Sequence, residues 1–457
     1  MNFAPKIEHV IADMKRTREH RNIYLVDVEF TPQQSEVFLE VLKDIVVRSL
    51  HLVHIFHDDH REKIKCFSKA LKNINTIQEL DLSFNELWSH PESLRSLSKT
   101  LSVNISIQTL DLSGNNQMCN SNSSGMKFLS EALKYNNTLQ ELVLNCNNLG
   151  NCPEGMKYLS EALKYNNTLQ EVCLRHNKLG NCPETLKSLS EALKYNNTLQ
   201  TLDLNGNKLG SCPKGMKFLS EALKHNNTLQ TLRLRSNDLE NCSEEMKHFS
   251  EALMVNNSIR ELYLGNNYQT TTSNLKFFSE ALGVNTTLQV LELSGNNLEN
   301  CSDFSGLCSL SEALKVNKTI QHLNLEFNHL GKCPDQSGLI SFLKSLEMNI
   351  SIRKLDLGYN NLEDCPGGII SLSEALKVNN TLQEIGLSGN DLKDCPDPMG
   401  VTSLSEAFRI NGSIQKLNLS CYDKMALSDI CRNVDRNMHN NLMKNSCLFG
   451  LLLPILE

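Results

Sequence analysis

A thirty-residue period constrains this chain more than any other feature in it. From Leu139 the sequence reads LQELVLNCNNLGNCPEGMKYLSEALKYNNT, and closely similar units open at Leu169, Leu199 and Leu229, with Ile259 beginning the next. A fixed period of this size marks a stack of supersecondary units, each too small to bury its own apolar face, so that neighbours must cover one another. A chain of 457 residues would ordinarily divide into roughly two or three domains. The period predicts one elongated body instead.

The unit from Leu199 to Thr228 explains itself residue by residue. Leu199, Leu202 and Leu204 sit where a short strand points alternate side chains inward. Asn207 carries an amide that both donates and accepts, which a buried bend requires for its backbone, and stacked over Asn177 and Asn237 it predicts a ladder. Pro213 suits the first turn of a helix. Met216, Leu219, Ala222 and Leu223 then form one apolar stripe at helical spacing, with Lys217, Glu221 and Lys224 outward. Asn226 and Asn227 stop the helix, with Asn expected in the left-handed conformation. Stacking such units gives a parallel sheet on one side and helices on the other, and the wider helices bend the stack with the strands inside.

The pattern decays towards both ends. Ile107, Leu110 and Leu112, then Ile77, Leu80 and Leu82, keep the strand spacing, whereas Leu50, Val53 and Ile55, and Ile23, Val26 and Val28, keep it with β-branched substitutes. Residues 1–76 are therefore expected to form an N-terminal helix and degenerate capping repeats, 77–424 the repeat array, and 425–457 a helical C-terminal cap. About fourteen units result. At LQTLDLNGNKL, Leu199 to Leu209, the chain resembles the leucine-rich-repeat family, motif L-x-x-L-x-L-x-x-N-x-L, and the full helix after Pro213 is similar to the ribonuclease-inhibitor type. The resemblance spans roughly residues 23 to 424. It implies an α/β solenoid curved into a horseshoe, with the parallel sheet concave, the helices convex, and a surface that binds another protein.

Repetition also disposes of several chemical readings. Of sixteen cysteines, eight occupy one repeat position, from Cys152 and Cys182 through Cys212 and Cys242 to Cys301, Cys333, Cys365 and Cys395. No C-x₂-C pair converges for zinc, and a disulfide framework belongs to short secreted chains, so these read as small hydrophobes at the turn into each helix. The Asn-x-Ser/Thr sequons recurring from Asn136 to Asn411 read as helix stops before strands rather than glycan sites. Gly210 to Lys217 imitates a phosphate loop, but Met216 stands at its lysine position. His54, His57, Asp58, Asp59 and His60 read as helix-start capping and solvated surface. No metal, cofactor, catalytic constellation or small-molecule substrate is expected. A net charge of −7 gives no basic field for nucleic acid. No apolar stretch has membrane-spanning length. The expectation is a cytoplasmic monomer, or a protein of the host cytosol if it is a delivered effector.

What fails to repeat is where binding is expected. The default strand, L-D-L-S-G-N, presents small or acidic residues outward. Departures are Glu171, Arg175 and His176; Arg233 and Arg235; Tyr263 and Tyr268; and His322, Glu326, Phe327 and Tyr359. These should form one mixed stripe along the inner face, and arginine and tyrosine are enriched at binding hot spots. The predicted function is a non-enzymatic scaffold, whether adaptor, inhibitor or effector, for a protein partner. The alternative is a GTPase activator resembling the Ran GTPase-activating proteins, with Arg175, Arg233 or Arg235 supplied to a nucleotide pocket. A second candidate surface is the N-terminal aromatic group Phe30, Phe56, Phe84 and Trp88.

Overall fold

The computed structural model describes residues 7–17, 19–56, 60–115, 123–267, 272–298, 305–420, 432 and 434. Repeats pack mainly against their neighbours, so cohesion in such a chain is largely local, and it packs as two compact units, Met1–Asn237 and Asp238–Glu457.

In the first unit, strands β1 (Glu19–Val26), β2 (Val46–Val53), β3 (Glu79–Asp81), β4 (Thr109–Asp111), β5 (Glu141–Val143), β6 (Glu171–Cys173), β7 (Thr201–Asp203) and β8 (Thr231–Arg233) pair in chain order, all parallel. Helices α1 (Ile7–Arg16), α2 (Pro32–Asp44), α3 (His60–Leu71), α4 (Pro91–Leu101), α5 (Ser124–Tyr135), α6 (Pro153–Tyr165), α7 (Pro183–Tyr195) and α8 (Pro213–His225) alternate with them. The second unit repeats the scheme with β9 (Glu261–Tyr263), β10 (Val290–Glu292), β11 (His322–Asn324), β12 (Lys354–Asp356), β13 (Glu384–Gly386) and β14 (Lys416–Asn418). Its helices are α9 (Ser243–Val255), α10 (Thr272–Val284), α11 (Ser305–Val316), α12 (Ser337–Ser345), α13 (Pro366–Val378) and α14 (Pro398–Ile410). The eight and six strands agree with the repeats counted in the sequence.

Apart from β14, whose Leu417 is half-buried, each three-residue strand buries its central leucine or equivalent, as the inward leucine spacing predicts. The flanking residues point to the other face, where Cys173, Asp203, Thr231, Glu292 and Gly386 are buried as well. In α8, Met216, Leu219, Ala222 and Leu223 are buried, and Pro213 opens the helix. Fully burying one such side chain stabilises by about 1.5–3 kcal/mol. Cys212, Cys242, Cys333 and Cys365 are buried at the turn into the helix, while Cys152, Cys182 and Cys395 are half-buried; Cys301 lies outside the described residues.

The bend after each strand is held by asparagine. Asn207 Nδ2 donates to the Leu174 carbonyl of the preceding repeat at 2.8 Å, and its own N–H donates to Asn237 Oδ1 at 2.8 Å. This link recurs from repeat to repeat, with Asn360 and Asn390 joined the same way in the second unit. Glycine serves the adjoining turn through close approach: a Cβ at Gly150 would stand 1.8 Å from the Lys178 carbonyl oxygen. The phosphate-loop glycine Gly210 likewise spends its N–H on the Asn237 carbonyl at 2.9 Å.

One local expectation fails. The asparagine that ends each helix is not left-handed: Asn226 has φ −75° and ψ 130°, and its equivalents are similarly extended. Its side chain explains why. Asn226 Oδ1 accepts from the N–H groups of Thr228 and Leu229, at 3.1 and 2.8 Å, while Nδ2 reaches the Leu193 carbonyl at 2.7 Å. The sequon asparagines thus form a second buried ladder that needs amide geometry rather than positive φ. The left-handed residues occur in the bend after the strand, among them His176, Phe327 and Tyr359. The expected helical C-terminal cap lies outside the described residues, apart from Arg432 and Val434.

Candidate protein-binding strand faces

Three positions of each repeat reach the open face: the first and third strand residues, and the residue two further on. A fourth, the left-handed bend residue, follows. In the first unit these positions bring Glu171, Arg175 and Arg233 together around Asp203. Arg175 Nε donates to Asp203 Oδ2 at 2.7 Å, and Arg233 Nη1 lies 3.4 Å from Glu171 Oε1 and 3.9 Å from Asp203 Oδ2. The Asp203 side chain is fully buried. Arg175 remains 46% exposed, but its guanidinium is committed to a carboxylate of its own chain, as is that of Arg233. An arginine delivered into a nucleotide pocket would first have to leave these partners.

Beside them, Cys173 Sγ is 3.5 Å from Glu171 Oε1, and burial together with the carboxylates of Glu171, Asp203 and Glu141 drives its thiol far above the ordinary range. Burial and the charge of Glu171 also raise the Glu141 carboxyl. Glu141, Glu171 and Cys173 hold donor atoms within 4.8 Å of one another. A thiol this strongly held as S–H is poorly disposed to metal, which binds the thiolate. His176 is exposed and lies over Gly206, where a Cβ would meet its ring. The Arg235 N–H donates to Asn205 Oδ1 at 2.7 Å.

The second unit answers with a different set. Glu326 and Asp356 occupy the positions that Arg175 and Asp203 hold in the first, one repeat apart. Burial first, then the charge of Asp356 and hydrogen bonding with it, push Glu326 up to about 7. Phe327 and Tyr359, the bend residues alongside, stack with ring centroids 4.2 Å apart and planes 7° from parallel. Both stay open to solvent, at 47% and 45% exposure.

Glycines surround this acid pair. A Cβ at Gly358 would approach Glu326 Oε1 to 2.9 Å, and one at Gly386 would approach Asp356 Oδ1 to 2.0 Å. The next acid along, Glu384, is answered by Lys354 at 3.6 Å and Lys416 at 2.8 Å. Burial raises it, but the two lysines hold it below the usual range. His322 is lowered by burial and by Lys354, and its buried Nε2 has no hydrogen-bond partner among the described residues. Tyr263 donates its hydroxyl to Glu261 Oε2 at 3.1 Å. Tyr268 lies outside the described residues.

The N-terminal aromatic group divides differently. Phe30 and Phe56 are buried and pack against Phe38 and Phe67 at 5.3 and 5.9 Å, so they belong to the core. Trp88 is half-buried and donates to Asn147 Oδ1 at 2.9 Å. Phe84 alone of the four is exposed, over Gly114. His54 pairs with Asp27, while His57, Asp58 and Asp59 lie outside the described residues.

Sequence comparison within the chain overlooked Asp203, Asp356, Gly358 and Gly386, because the two aspartates match the strand default and the two glycines were read as small default residues. It also overlooked Tyr135, Tyr165 and Tyr195, each at least 65% exposed at a helix end.

The chain carries leucine-rich repeats. Residues 135–160, 195–211, 225–241, 284–300 and 316–332 match one Leucine Rich repeat profile, and residues 76–97 another. Among solved structures, the leucine-rich repeat-containing protein LegL7 from Legionella pneumophila is similar at 21% identity and a TM-score of 0.45, over 70% of this chain and 96% of that one. The actin-binding site 2 of leiomodin-1 aligns at 20% identity and a TM-score of 0.29, over 46% of this chain and 95% of that one. The C-terminal domain of Caenorhabditis elegans tropomodulin aligns at 11% identity and 0.28, over 44% and 97%. No curated protein sequence matches the chain. Among the described residues, no helix is long and apolar enough to cross a membrane.

Proposed function

We propose that this protein is a non-enzymatic scaffold that binds a protein partner through the strand faces of its repeats. The observation that carries the reading is the stacked Phe327 and Tyr359 pair, two large rings about half exposed side by side on the strand face of the second unit. Rigid aromatic side chains with few rotamers lose little entropy on binding, and they dominate interface energetics. Family members typically act through such surfaces rather than through chemistry, although fold alone names no partner.

The test is capture of binding proteins from cytosol by wild type, by a Phe327→Ala/Tyr359→Ala variant, and by a helix-side Tyr165→Ala/Tyr195→Ala control. Partners lost only with the strand-face variant support the reading. Partners retained by that variant, or lost with the helix-side one, refute it.

A further inference from the structure

The helices of the first unit carry a default ion pair. On α6, α7 and α8 a glutamate meets the lysine three residues on, Glu161 with Lys164 at 3.3 Å, Glu191 with Lys194 at 3.4 Å and Glu221 with Lys224 at 3.3 Å. On α3 and α4 the glutamate position holds Lys69 and Lys99 instead, and Lys72 keeps the lysine position after Lys69. Thr100 Oγ1 donates to the Ser68 carbonyl at 2.7 Å, which locks α3 and α4 in register at these positions. Lys69, Lys72 and Lys99 are exposed, and among the described residues none of the three makes an ion pair. A chain of net charge −7 thus gathers unanswered ammonium groups on two adjacent helices.

Beside Lys99 a groove of about 330 Å³ runs between α4 and α5. Arg95 and Lys99 line its α4 side, Phe128 and Tyr135 its α5 side. Arg95 lies 5.5 Å over the Phe128 ring and 3.4 Å from Glu92, and Tyr135 is 78% exposed. Glu131 also lines the groove. Ser98 at the same place has a buried hydroxyl with no hydrogen-bond partner, but so do Ser130 and Ser160 on the next helices. The cations, not the serine, set this groove apart.

Cations beside aromatic rings complement carboxylates set among apolar side chains. A nucleic-acid strand carries a phosphate on every nucleotide and would meet Glu92 and Glu131, whereas a peptide spaces its acids and leaves those positions uncharged. We infer that the groove between α4 and α5, together with Lys69 and Lys72, receives an acidic segment of a protein partner, its carboxylates on the lysines and its apolar side chains on Phe128 and Tyr135. This helix-side surface does not rest on the strand-face reading. Exposed ion pairs are individually weak and screened, so several must act together and binding must fade with salt.

The experiment is fluorescence anisotropy on the full chain with a labelled GSELEELEGS peptide, alongside GSQLQQLQGS and GSKLKKLKGS, at about 50 and about 300 mM NaCl. The glutamate peptide should bind at low salt and weaken roughly tenfold or more at high salt, and the lysine peptide should stay unbound. Lys69→Glu/Lys99→Glu, which restores the acid of the later helices, should weaken the glutamate peptide by roughly tenfold or more. Glu131→Lys should tighten it, a gain that a failure to fold does not produce. Phe327→Ala/Tyr359→Ala should bind it as wild type does. Unchanged affinity in Lys69→Glu/Lys99→Glu, or equal binding of the glutamate and lysine peptides, overturns the inference. Tighter binding of duplex DNA or of phosphatidylserine vesicles than of the glutamate peptide overturns the choice of a protein segment.

Discussion

The strand face of the first unit and that of the second share a backbone and differ in who answers their acids. Around β6 to β8 the chain's own arginines close on Glu171 and Asp203. Around β11 to β13 two carboxyls meet instead, beside exposed rings. A repeat scaffold holds each strand position nearly fixed, so one substitution at one position converts an ion pair into a pair of facing carboxyls. Arginine count is thus a poor guide to binding on such a surface. What matters is whether the guanidinium is already engaged.

The sharpest contrast comes from removing the acid at the shared position. Asp203 is fully buried, accepts from Arg175, and accepts the Asn205 N–H at 3.0 Å. Asp203→Ala should shift the urea transition by about 2 kcal/mol towards unfolding, since it strands buried donors. Asp356→Ala relieves a carboxyl pair and should be near neutral. Equal costs would break the comparison.

Arg175→Glu should impose the second unit's arrangement on the first. Like charge beside a buried carboxylate costs about 1 kcal/mol at this exposure, and the variant should acquire a pH-dependent denaturation midpoint that wild-type Arg175 does not confer.

The pH dependence of the second unit has a definite sign. Glu326 is raised to about 7 in the folded chain from an ordinary value of 4.5, so between these values the folded state holds more protons than the unfolded one. Its contribution to stability is full below about 4.5 and is lost as pH rises through about 7. Since Glu326 is half-buried, the loss should stay below about 1 kcal/mol. Urea melts at pH 5 and pH 8 should differ by this amount in wild type and converge in Glu326→Gln.

The smallest effect is expected from Glu326→Arg, which recreates the Arg175 and Asp203 pairing against Asp356. It should stabilise by a few tenths of a kcal/mol, typical of a partly exposed ion pair, and a destabilised melt would show that the two positions are not interchangeable.

Much of this fold was legible because period-thirty patterning leaves few alternatives: Leu202, Leu204, Met216 and Leu223 are buried as their spacing requires. Asn226 was misread because the helix-stop rule concerns backbone conformation, whereas its amide bonds to the neighbouring repeat, and such partners are thirty residues away. Departures from the repeat located Arg175, Glu326, Phe327 and Tyr359. They could not reveal that Arg175 is engaged and Glu326 is not answered by a cation, since Asp203 and Asp356 match the default and carry no signal by themselves. Tyr359 and Phe327 stack because both occupy left-handed bends one repeat apart, a register that only the folded chain supplies.

The decisive measurement is capture of cytosolic proteins by wild type, by Phe327→Ala/Tyr359→Ala and by the helix-side Tyr165→Ala/Tyr195→Ala. Partners should be lost with the strand-face variant alone. Partners that survive Phe327→Ala/Tyr359→Ala would contradict binding through the second unit's strand face.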